Sequence, residues 1–267
     1  MVRIQHPRPT HTDFKLAKGN IMKVAIVGYG FVGQATEYLL RNCDIDVFIS
    51  DPEKDMFIHP EEWDHIQYAF ICVPTPECEE TGSLIADSAV EIAWDLCENC
   101  VPIIRSTVGP DQVKLFPEET IFMPEFLREK HWEEDTDDMN IPLYVGANEE
   151  PLRLLQHMSN GKQYILVEPE LACMFKIARN SALAMTVAVA NEFAEACAVS
   201  GVRYNDLAKL LINDKDLANT HWDVPGHDGE LGFGGKCLPK DLSHMETLVW
   251  DDENILSQAL YINEQRR

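Results

Sequence analysis

Short apolar runs alternate with polar or amphipathic stretches between residues 22 and 167. The runs read VAIV, DVFIS, YAFICV, VPII and TIFM, and a turn or a helical pattern follows each of them. Strands buried on both faces of a parallel sheet read as continuous apolar runs of this kind, with helices between them. The pattern therefore predicts an α/β fold built on a doubly wound parallel sheet.

The chain becomes helical after this region. From Pro169 to Ser200 it contains no glycine and no internal proline, and alanine is frequent. This composition predicts one central helix about 45 Å long, with Gly201 as its natural end. We expect a sheet domain over 22–167 and a helical domain over 168–267, with the long helix as its spine and as a homodimer contact. Residues 1–21 are expected to be an extension, an expression remnant or an upstream addition.

The first predicted strand leads into a glycine motif, Gly28-x-Gly30-x-x-Gly33, and Asp51 ends the second strand. Gly28 permits a tight turn, Gly30 lets the backbone approach a pyrophosphate, and Gly33 lets the helix pack closely on the strand. A carboxylate at the position of Asp51 holds the ribose 2′-OH of NAD and repels the 2′-phosphate of NADP. The motif therefore predicts a Rossmann-like, NAD-binding domain.

Polar side chains follow three further strands. Thr75 comes after YAFICVP, Ser106 and Thr107 come after VPII, and Glu125 comes after TIFM. Ligands of open α/β sheets bind at the carboxyl ends of the strands. Each of these residues alone is equally well interpreted as a turn residue. Their convergence on one edge of the sheet favours a binding site.

Lys176 and Asn180 lie four residues apart in the long helix and therefore share a face. A solvent-facing pair is the ordinary interpretation of such residues. The surrounding segment, ACMFKIARNSALAMTVAVA, is apolar on nearly every side. A lysine in that setting either extends its ammonium group to solvent or is retained for function.

A glycine-rich segment, GELGFGGKCLPKD, places Cys237 just before Lys240 and Asp241. Backbone donors and a nearby lysine stabilise a thiolate, which is typical of a nucleophilic cysteine. Asp241 can act as a base or orient one. The alternative is a cysteine buried as a small apolar side chain within ordinary turn chemistry, and the residues alone leave both interpretations open.

Charge and cysteine content narrow the function classes. The formal net charge of −23 argues against nucleic-acid binding and against anionic membranes. The chain has no apolar run of roughly 18 residues, as a membrane helix requires. The eight cysteines are scattered, and Cys97-x-x-Cys100 has no second pair at zinc spacing. We expect reduced thiols in a cytoplasmic protein, and no metal site.

Six segments together resemble the UDP-glucose and GDP-mannose dehydrogenase family, which acts on nucleotide sugars. They are KVAIVGYGFVG, ICVPTP, RSTVGP, PEFLRE, FKIARNSALAMTVAVANE and GFGGKCLPKD, in the family's order. The resemblance implies oxidation of the C6 hydroxymethyl group of a UDP-glucose-like nucleotide sugar to a carboxylate. It also implies NAD as the cofactor, with two NAD⁺ used per sugar.

The resemblance further implies roles for individual residues. Cys237 resembles the nucleophile that forms a thiohemiacetal and then a thioester. Lys176 and Asn180 resemble donors to the substrate oxygen, and Asp241 with Thr107 and Glu125 resembles the group that activates water. The implied NAD contacts are Gly28, Gly30, Val32, Gly33, Asp51, Val73, Thr75, Thr107 and Lys240. The implied contacts to the sugar nucleotide are Glu125, Phe126, Leu127, Arg128, Glu129, Lys176, Asn180, His221 and Gly234.

The chain also departs from the family pattern. The family's C-terminal domain, which grips the nucleotide, is expected to begin near residue 255, whereas this sequence stops at Arg267. The stretch between Asp51 and Tyr68 is short, Lys130 replaces a common glycine, and the segment around His221 matches only loosely. These differences predict weak binding of a sugar nucleotide unless a partner supplies the missing contacts.

Two alternatives follow from these departures. One is a two-electron hydroxyacid dehydrogenase, which pairs a dinucleotide domain with a Lys-x-x-x-Asn helix and needs no cysteine loop. The other is an NAD-binding module that does not turn over substrate by itself.

Overall fold

The chain forms an α/β fold. The computed structural model describes residues 3–5, 21–148, 151–158, 162–214, 221, 223–247 and 255–267. The strands are β1 (Arg3–Gln5), β2 (Met22–Val27), β3 (Ile45–Ser50), β4 (Tyr68–Ile71), β5 (Val101–Ile104), β6 (Ile121–Phe122), β7 (Leu143–Gly146) and β8 (Tyr164–Val167). The α-helices are α1 (Phe31–Leu40), α2 (Pro60–Trp63), α3 (Asp87–Leu96), α4 (Trp132–Asp137), α5 (Leu152–Met158), α6 (Pro169–Ser200), α7 (Tyr204–Asn213), α8 (Leu238–Thr247) and α9 (Ile255–Arg266).

The strands form one sheet in the order β1-β8-β7-β6-β5-β4-β2-β3, as far as the chain is described. Pairing is parallel from β3 through β6 and between β7 and β8, whereas β6 pairs with β7 and β1 pairs with β8 in the antiparallel sense. The Rossmann-like fold class predicted from the apolar runs is confirmed. The two antiparallel pairs are additions that the runs did not indicate.

The middle of the sheet is buried on both faces. Ala69, Phe70 and Ile71 on β4 are fully buried, and Ile103 and Ile104 on β5 are buried as well. One apolar cluster gathers side chains of β2, β4, β5 and α5, and a second gathers side chains of β4, β5, α3 and α6. Burial on both faces explains why these strands read as unbroken apolar runs.

The N-terminal segment contributes to the sheet. Arg3–Gln5 pairs with Leu166 to Tyr164 at the edge of the sheet, which differs from the expected extension outside the fold. A short edge strand is held by backbone hydrogen bonds, so no apolar pattern indicates it. Residues 6–20 lie outside the described residues.

Packing divides the chain into two compact units. The first comprises residues 1–75 and 85–176, and the second comprises residues 76–84 and 177–267. The long helix α6 has the predicted bounds and ends at Gly201, whose φ is +69°. The N–H of Val202 bonds the carbonyl of Cys197, which is the usual closure at such a glycine. The division into these two units is based on packing and does not test the domain boundary predicted between residues 167 and 168. That boundary stays a prediction.

Candidate functional site

The glycine turn between β2 and α1 has the geometry that its sequence predicts. Gly28 has φ +85°, and a Cβ there would lie 2.8 Å from the carbonyl oxygen of Cys72. A Cβ at Gly33 would lie 2.3 Å from the carbonyl oxygen of Gly28. Gly30 is the N-cap residue of α1, and a Cβ there would meet nothing within 4 Å. The turn therefore has an open backbone at the start of a helix, which fits a dinucleotide pyrophosphate.

Asp51 lies beside this turn, at the end of β3. Its Oδ2 accepts the backbone N–H of Tyr29 at 2.8 Å, and its Oδ1 accepts the N–H of Glu53 at 3.0 Å. The carboxylate also caps a short 3₁₀ helix, Pro52–Lys54. Two backbone bonds fix its orientation, as a ribose-binding carboxylate requires.

The hydroxyl groups at the ends of β4 and β5 come together. The Oγ1 of Thr75 donates to the carbonyl of Thr107 at 2.7 Å. The Oγ of Ser106 donates to the carbonyl of Val73 at 2.6 Å. Thr75, Ser106 and Thr107 are all buried. The parallel neighbours thus bring the predicted strand-end residues to one edge, although the hydroxyls of Thr75 and Ser106 already bond the backbone.

Glu125 and Lys176 form a buried ion pair within the first unit. The Nζ of Lys176 lies 3.0 Å from Oε1 of Glu125, and the backbone N–H of Leu127 donates to Oε2 at 2.6 Å. Burial alone raises the pKa of the Glu125 carboxyl. The charge of Lys176, these hydrogen bonds and the charge of Arg105 outweigh it and hold the pKa below its usual range. Lys176 is thus neither exposed nor snorkelling, and it presents a buried cation.

The segment after Glu125 begins with a buried residue and continues with exposed ones. Phe126 is buried against Tyr144 and Phe175, with ring centroids 5.0 and 5.3 Å away. Arg128 and Glu129 are exposed, and the guanidinium of Arg128 bonds Asp135 at 2.6 Å. Among the implied substrate residues here, Arg128 is therefore already committed to an ion pair.

A second group of polar residues lies in the second unit. Asp241 is 0% exposed, and Nδ2 of Asn180 donates to its Oδ2 at 2.5 Å. Its Oδ1 lies 3.5 Å from Nζ of Lys240, an ion-pair distance without hydrogen-bond geometry. Cys237 directly precedes α8, and its carbonyl accepts the N–H of Asp241 at 2.9 Å. The structure thus brings Asn180 of α6 against Asp241, which lies with Lys240 on the first turn of α8, directly after Cys237.

The side chain of Asn263 on α9 holds the glycine-rich loop in front of Cys237. Its Oδ1 accepts the N–H of Phe233 at 2.7 Å, and its Nδ2 donates to the carbonyl of Phe233 at 3.0 Å. Arg267 bonds Asp228 at 2.9 Å, and a Cβ at Gly234 would lie 2.4 Å from its guanidinium. Sequence reasoning missed Asn263, because nothing in YINEQRR indicates that this helix packs on the loop.

A loop from the region after β4 packs on α8 as well. The Oγ of Ser243 donates to Oε1 of Glu77 at 2.6 Å. Gly82 has φ +69°, and a Cβ there would lie 2.7 Å from the same Oγ. These contacts explain why residues 76–84 belong to the second unit, and no local sequence pattern indicates them.

Other implied residues are placed without assembling a site. His221 has a left-handed backbone, with φ 67°, while residues 215–220 and 222 lie outside the described residues. All eight cysteines lie in the described part of the chain, and each is a thiol. Over the described ranges, no group of three or more His, Cys, Asp or Glu side chains could hold a metal ion. In the same ranges no helix is long and apolar enough to cross a membrane.

Gly232→Ala is expected to disturb the loop more than Gly229→Ala does. Both glycines have positive φ, but only at Gly232 would a Cβ meet an atom, the Oδ1 of Asn263 at 2.4 Å. Each change costs about 1–2 kcal/mol of unfolding free energy through the backbone. Gly232→Ala additionally breaks the bonds of Asn263 to Phe233, about 1 kcal/mol each. Chemical denaturation of both variants measures the difference, and equal losses would show that Asn263 does not hold this loop.

Comparison with known proteins gives a consistent family signal. Residues 170–265 match the central domain of the UDP-glucose/GDP-mannose dehydrogenase family. The UDP-glucose 6-dehydrogenase of Rickettsia felis is 28% identical over 230 residues, which cover 78% of this chain and 50% of that protein. The UDP-glucose 6-dehydrogenase of Rickettsia typhi is 26% identical over 278 residues, which cover 95% of this chain and 60% of that protein.

A solved structure shows the same fold. The UDP-glucose dehydrogenase of the archaeon Pyrobaculum islandicum superposes with a TM-score of 0.76 at 21% identity, over 95% of this chain and 70% of that one. The chain spans about half the length of the curated relatives that it matches first.

Proposed function

We propose that the chain, whose residues 170–265 match the central domain of the UDP-glucose/GDP-mannose dehydrogenase family, is a member of that family and oxidises the C6 hydroxymethyl group of a nucleotide sugar to a carboxylate. The observation that carries this proposal is the arrangement around α8. Cys237 precedes the helix, and the fully buried Asp241 on its first turn is bonded to Asn180. A two-electron hydroxyacid dehydrogenase has no need of such a thiol.

We assign the cofactor site to the first unit. Gly28, Gly30 and Gly33 leave the backbone open for the pyrophosphate, and Asp51 is oriented for the ribose. Val32, Val73, Thr75 and Thr107 are proposed as further contacts in this unit. The contact implied for Lys240 belongs to the second unit and stays a prediction. Bound NAD⁺ supplies the hydride acceptor for both oxidations.

The proposed covalent step belongs to Cys237. Its thiolate Sγ adds to the carbon of the aldehyde, whose oxygen takes up a proton to give a thiohemiacetal. Loss of that proton and of a hydride gives a thioester, which water hydrolyses to the carboxylate and the thiol. Lys176 and Asn180 are proposed to stabilise the oxygen that gains charge in these steps.

Hydrolysis of the thioester requires an oriented water molecule. Asp241 is fully buried and bonded on one oxygen, which suits a carboxylate that accepts a proton from water. Glu125 is held ionised by Lys176, and we propose its carboxylate as a further hydrogen-bond acceptor for water. The tests of these steps are kinetic.

The first test is a stoichiometry. The chain is given NAD⁺ with UDP-glucose, UDP-N-acetyl sugars, GDP-mannose or small hydroxyacids, and NADH is counted per substrate consumed. Two NADH per sugar would support the proposal. One NADH from a hydroxyacid would assign the chain to the two-electron class. Absence of turnover despite NAD binding would indicate a module that depends on a partner.

Gly30→Ala is expected to weaken NAD binding without unfolding the chain. The backbone of Gly30 has φ −70°, which alanine adopts, and its Cβ would meet no atom of the chain. The same methyl group would obstruct the pyrophosphate, so the Kd for NAD⁺ should rise about tenfold or more, or ~1.4 kcal/mol. Titration calorimetry measures the Kd, and melting temperature reports the fold.

Gly33→Ala is the contrasting variant, since its Cβ would lie 2.3 Å from a backbone carbonyl. It should lose both stability and NAD binding. Unchanged NAD affinity in Gly30→Ala would show that NAD does not bind at this turn.

The homodimer through α6 remains a proposal. Val189 and Phe193 are partly exposed one turn apart on this helix, which favours an apolar contact with a second copy. The cytoplasmic location expected from the thiols likewise stays a prediction.

A further inference from the structure

A small cavity in the first unit is lined by two buried cations. Its volume is about 30 Å³, and its lining includes Arg105, Lys162, Glu125 and Asp135 among mostly apolar side chains. Arg105 is 4% exposed and Lys162 is 6% exposed. Charges this deep in a protein normally have an ion-pair partner or a bound ion.

Neither cation has an ion pair within the part of the chain that the structure describes. Arg105 donates from Nη1 to the carbonyl of Met123 at 3.3 Å, and its buried Nε has no hydrogen-bond partner there. Lys162 donates to the carbonyls of Asp138 at 2.8 Å and Ile141 at 3.3 Å. Their positive charges are therefore bonded to neutral groups only.

The two carboxylates in the lining are already committed elsewhere. Both oxygens of Glu125 are bonded, one to Lys176 and one to the N–H of Leu127. Both oxygens of Asp135 are bonded to Arg128, through its side chain and its backbone N–H. The two carboxylates in the cavity wall are therefore hydrogen-bonded to Lys176, Leu127 and Arg128, and not to Arg105 or Lys162.

The pKa directions agree with this geometry. Burial lowers the pKa of Arg105, although Cys72 and Glu125 act against it. Burial also lowers the pKa of Lys162, and the charge of Arg105 lowers it further, against the nearby acids Asp138, Asp137 and Asp135. The two cations are close enough to repel each other, and an anion between them would relieve that repulsion.

We propose that this cavity is a binding site for one small monovalent anion, of the size of chloride, held by Arg105 and Lys162. A volume of about 30 Å³ admits one or two water-sized particles. The buried Nε of Arg105 is the kind of polar group that a bound ion or water explains. Glu125, Phe126 and Leu127 line this cavity and are also proposed substrate contacts, but the anion is assigned to Arg105 and Lys162, which have no part in the proposed oxidation.

Bromide replaces chloride in the decisive experiment. Crystals of the whole chain are soaked in sodium bromide, and anomalous scattering is collected at the bromine edge. The proposal expects an anomalous peak within contact distance of Nε of Arg105 and Nζ of Lys162. Density without an anomalous signal would identify water and overturn the proposal. This measurement needs no variant, so it does not depend on how substitutions fold.

A solution measurement uses matched variants. At constant ionic strength, replacement of gluconate by chloride should raise the melting temperature of the chain by about 2–4 °C, because bound chloride stabilises the folded chain by mass action. Lys162→Met and Arg105→Met should lose this chloride response, whereas Lys114→Met, at an exposed lysine, should keep it. An equal response in all four proteins would show a general salt effect and overturn the site.

Discussion

Cys237→Ser is expected to stop the reaction after the first oxidation. A serine hydroxyl is a far weaker nucleophile than a thiolate at neutral pH, so the thiohemiacetal and thioester do not form. Carboxylate production should fall roughly 10³-fold or more, which is the scale on which loss of a nucleophile acts. The measurement is NADH formed per nucleotide sugar consumed, together with identification of the sugar product.

Cys97→Ser provides the control, because Cys97 lies at the end of α3 and its thiol donates to the backbone carbonyl of Trp94. It should keep the rate and stoichiometry of the native chain. Full carboxylate production by Cys237→Ser would refute covalent catalysis while leaving NAD-dependent oxidation intact.

Lys176→Met is expected to lower the free energy of unfolding by about 3–5 kcal/mol, since it leaves the buried carboxylate of Glu125 without its cation. The double variant Lys176→Met, Glu125→Gln should recover much of this loss, because a neutral amide replaces the stranded charge. Urea denaturation of the native chain, both single variants and the double variant gives the coupling energy. If the loss of unfolding free energy in the double variant equals the sum of the losses in the two single variants, the ion pair contributes nothing.

The same pair predicts how stability depends on pH. The pKa of Glu125 is lower in the folded chain than in the unfolded chain, where it is about 4.3. Its stabilising contribution is therefore fully present above about pH 4.3, and it is lost as the pH falls through the lower, folded value. Below pH 5, the melting temperature of Glu125→Gln should depend less on pH than that of the native chain.

Much of the fold could be predicted because one signal sufficed for each element. The strands around Phe70 and Ile103 are buried on both faces, and the apolar runs indicate this directly. The turn at Gly28 needs a residue that adopts positive φ, and the glycine motif indicates this requirement. The helix from Pro169 to Ser200 required only the absence of helix-breaking residues.

The site was predictable only in part. Glu125, Lys176, Asn180 and Asp241 were identified singly, but their pairing depends on tertiary packing, which no local pattern contains. Contacts made by one polar side chain to a distant backbone, as Asn263 makes to Phe233, leave no periodicity in the sequence.

The two hydrogen bonds between Asn263 and the glycine-rich loop have a consequence for biosynthesis. Phe233 gains both hydrogen bonds from a residue 30 positions further along the chain. A ribosome adds residues one at a time, so the loop before Cys237 is synthesised before the residue that holds it. The two hydrogen bonds of Asn263 to Phe233 can therefore form only after the 29 intervening residues have been added.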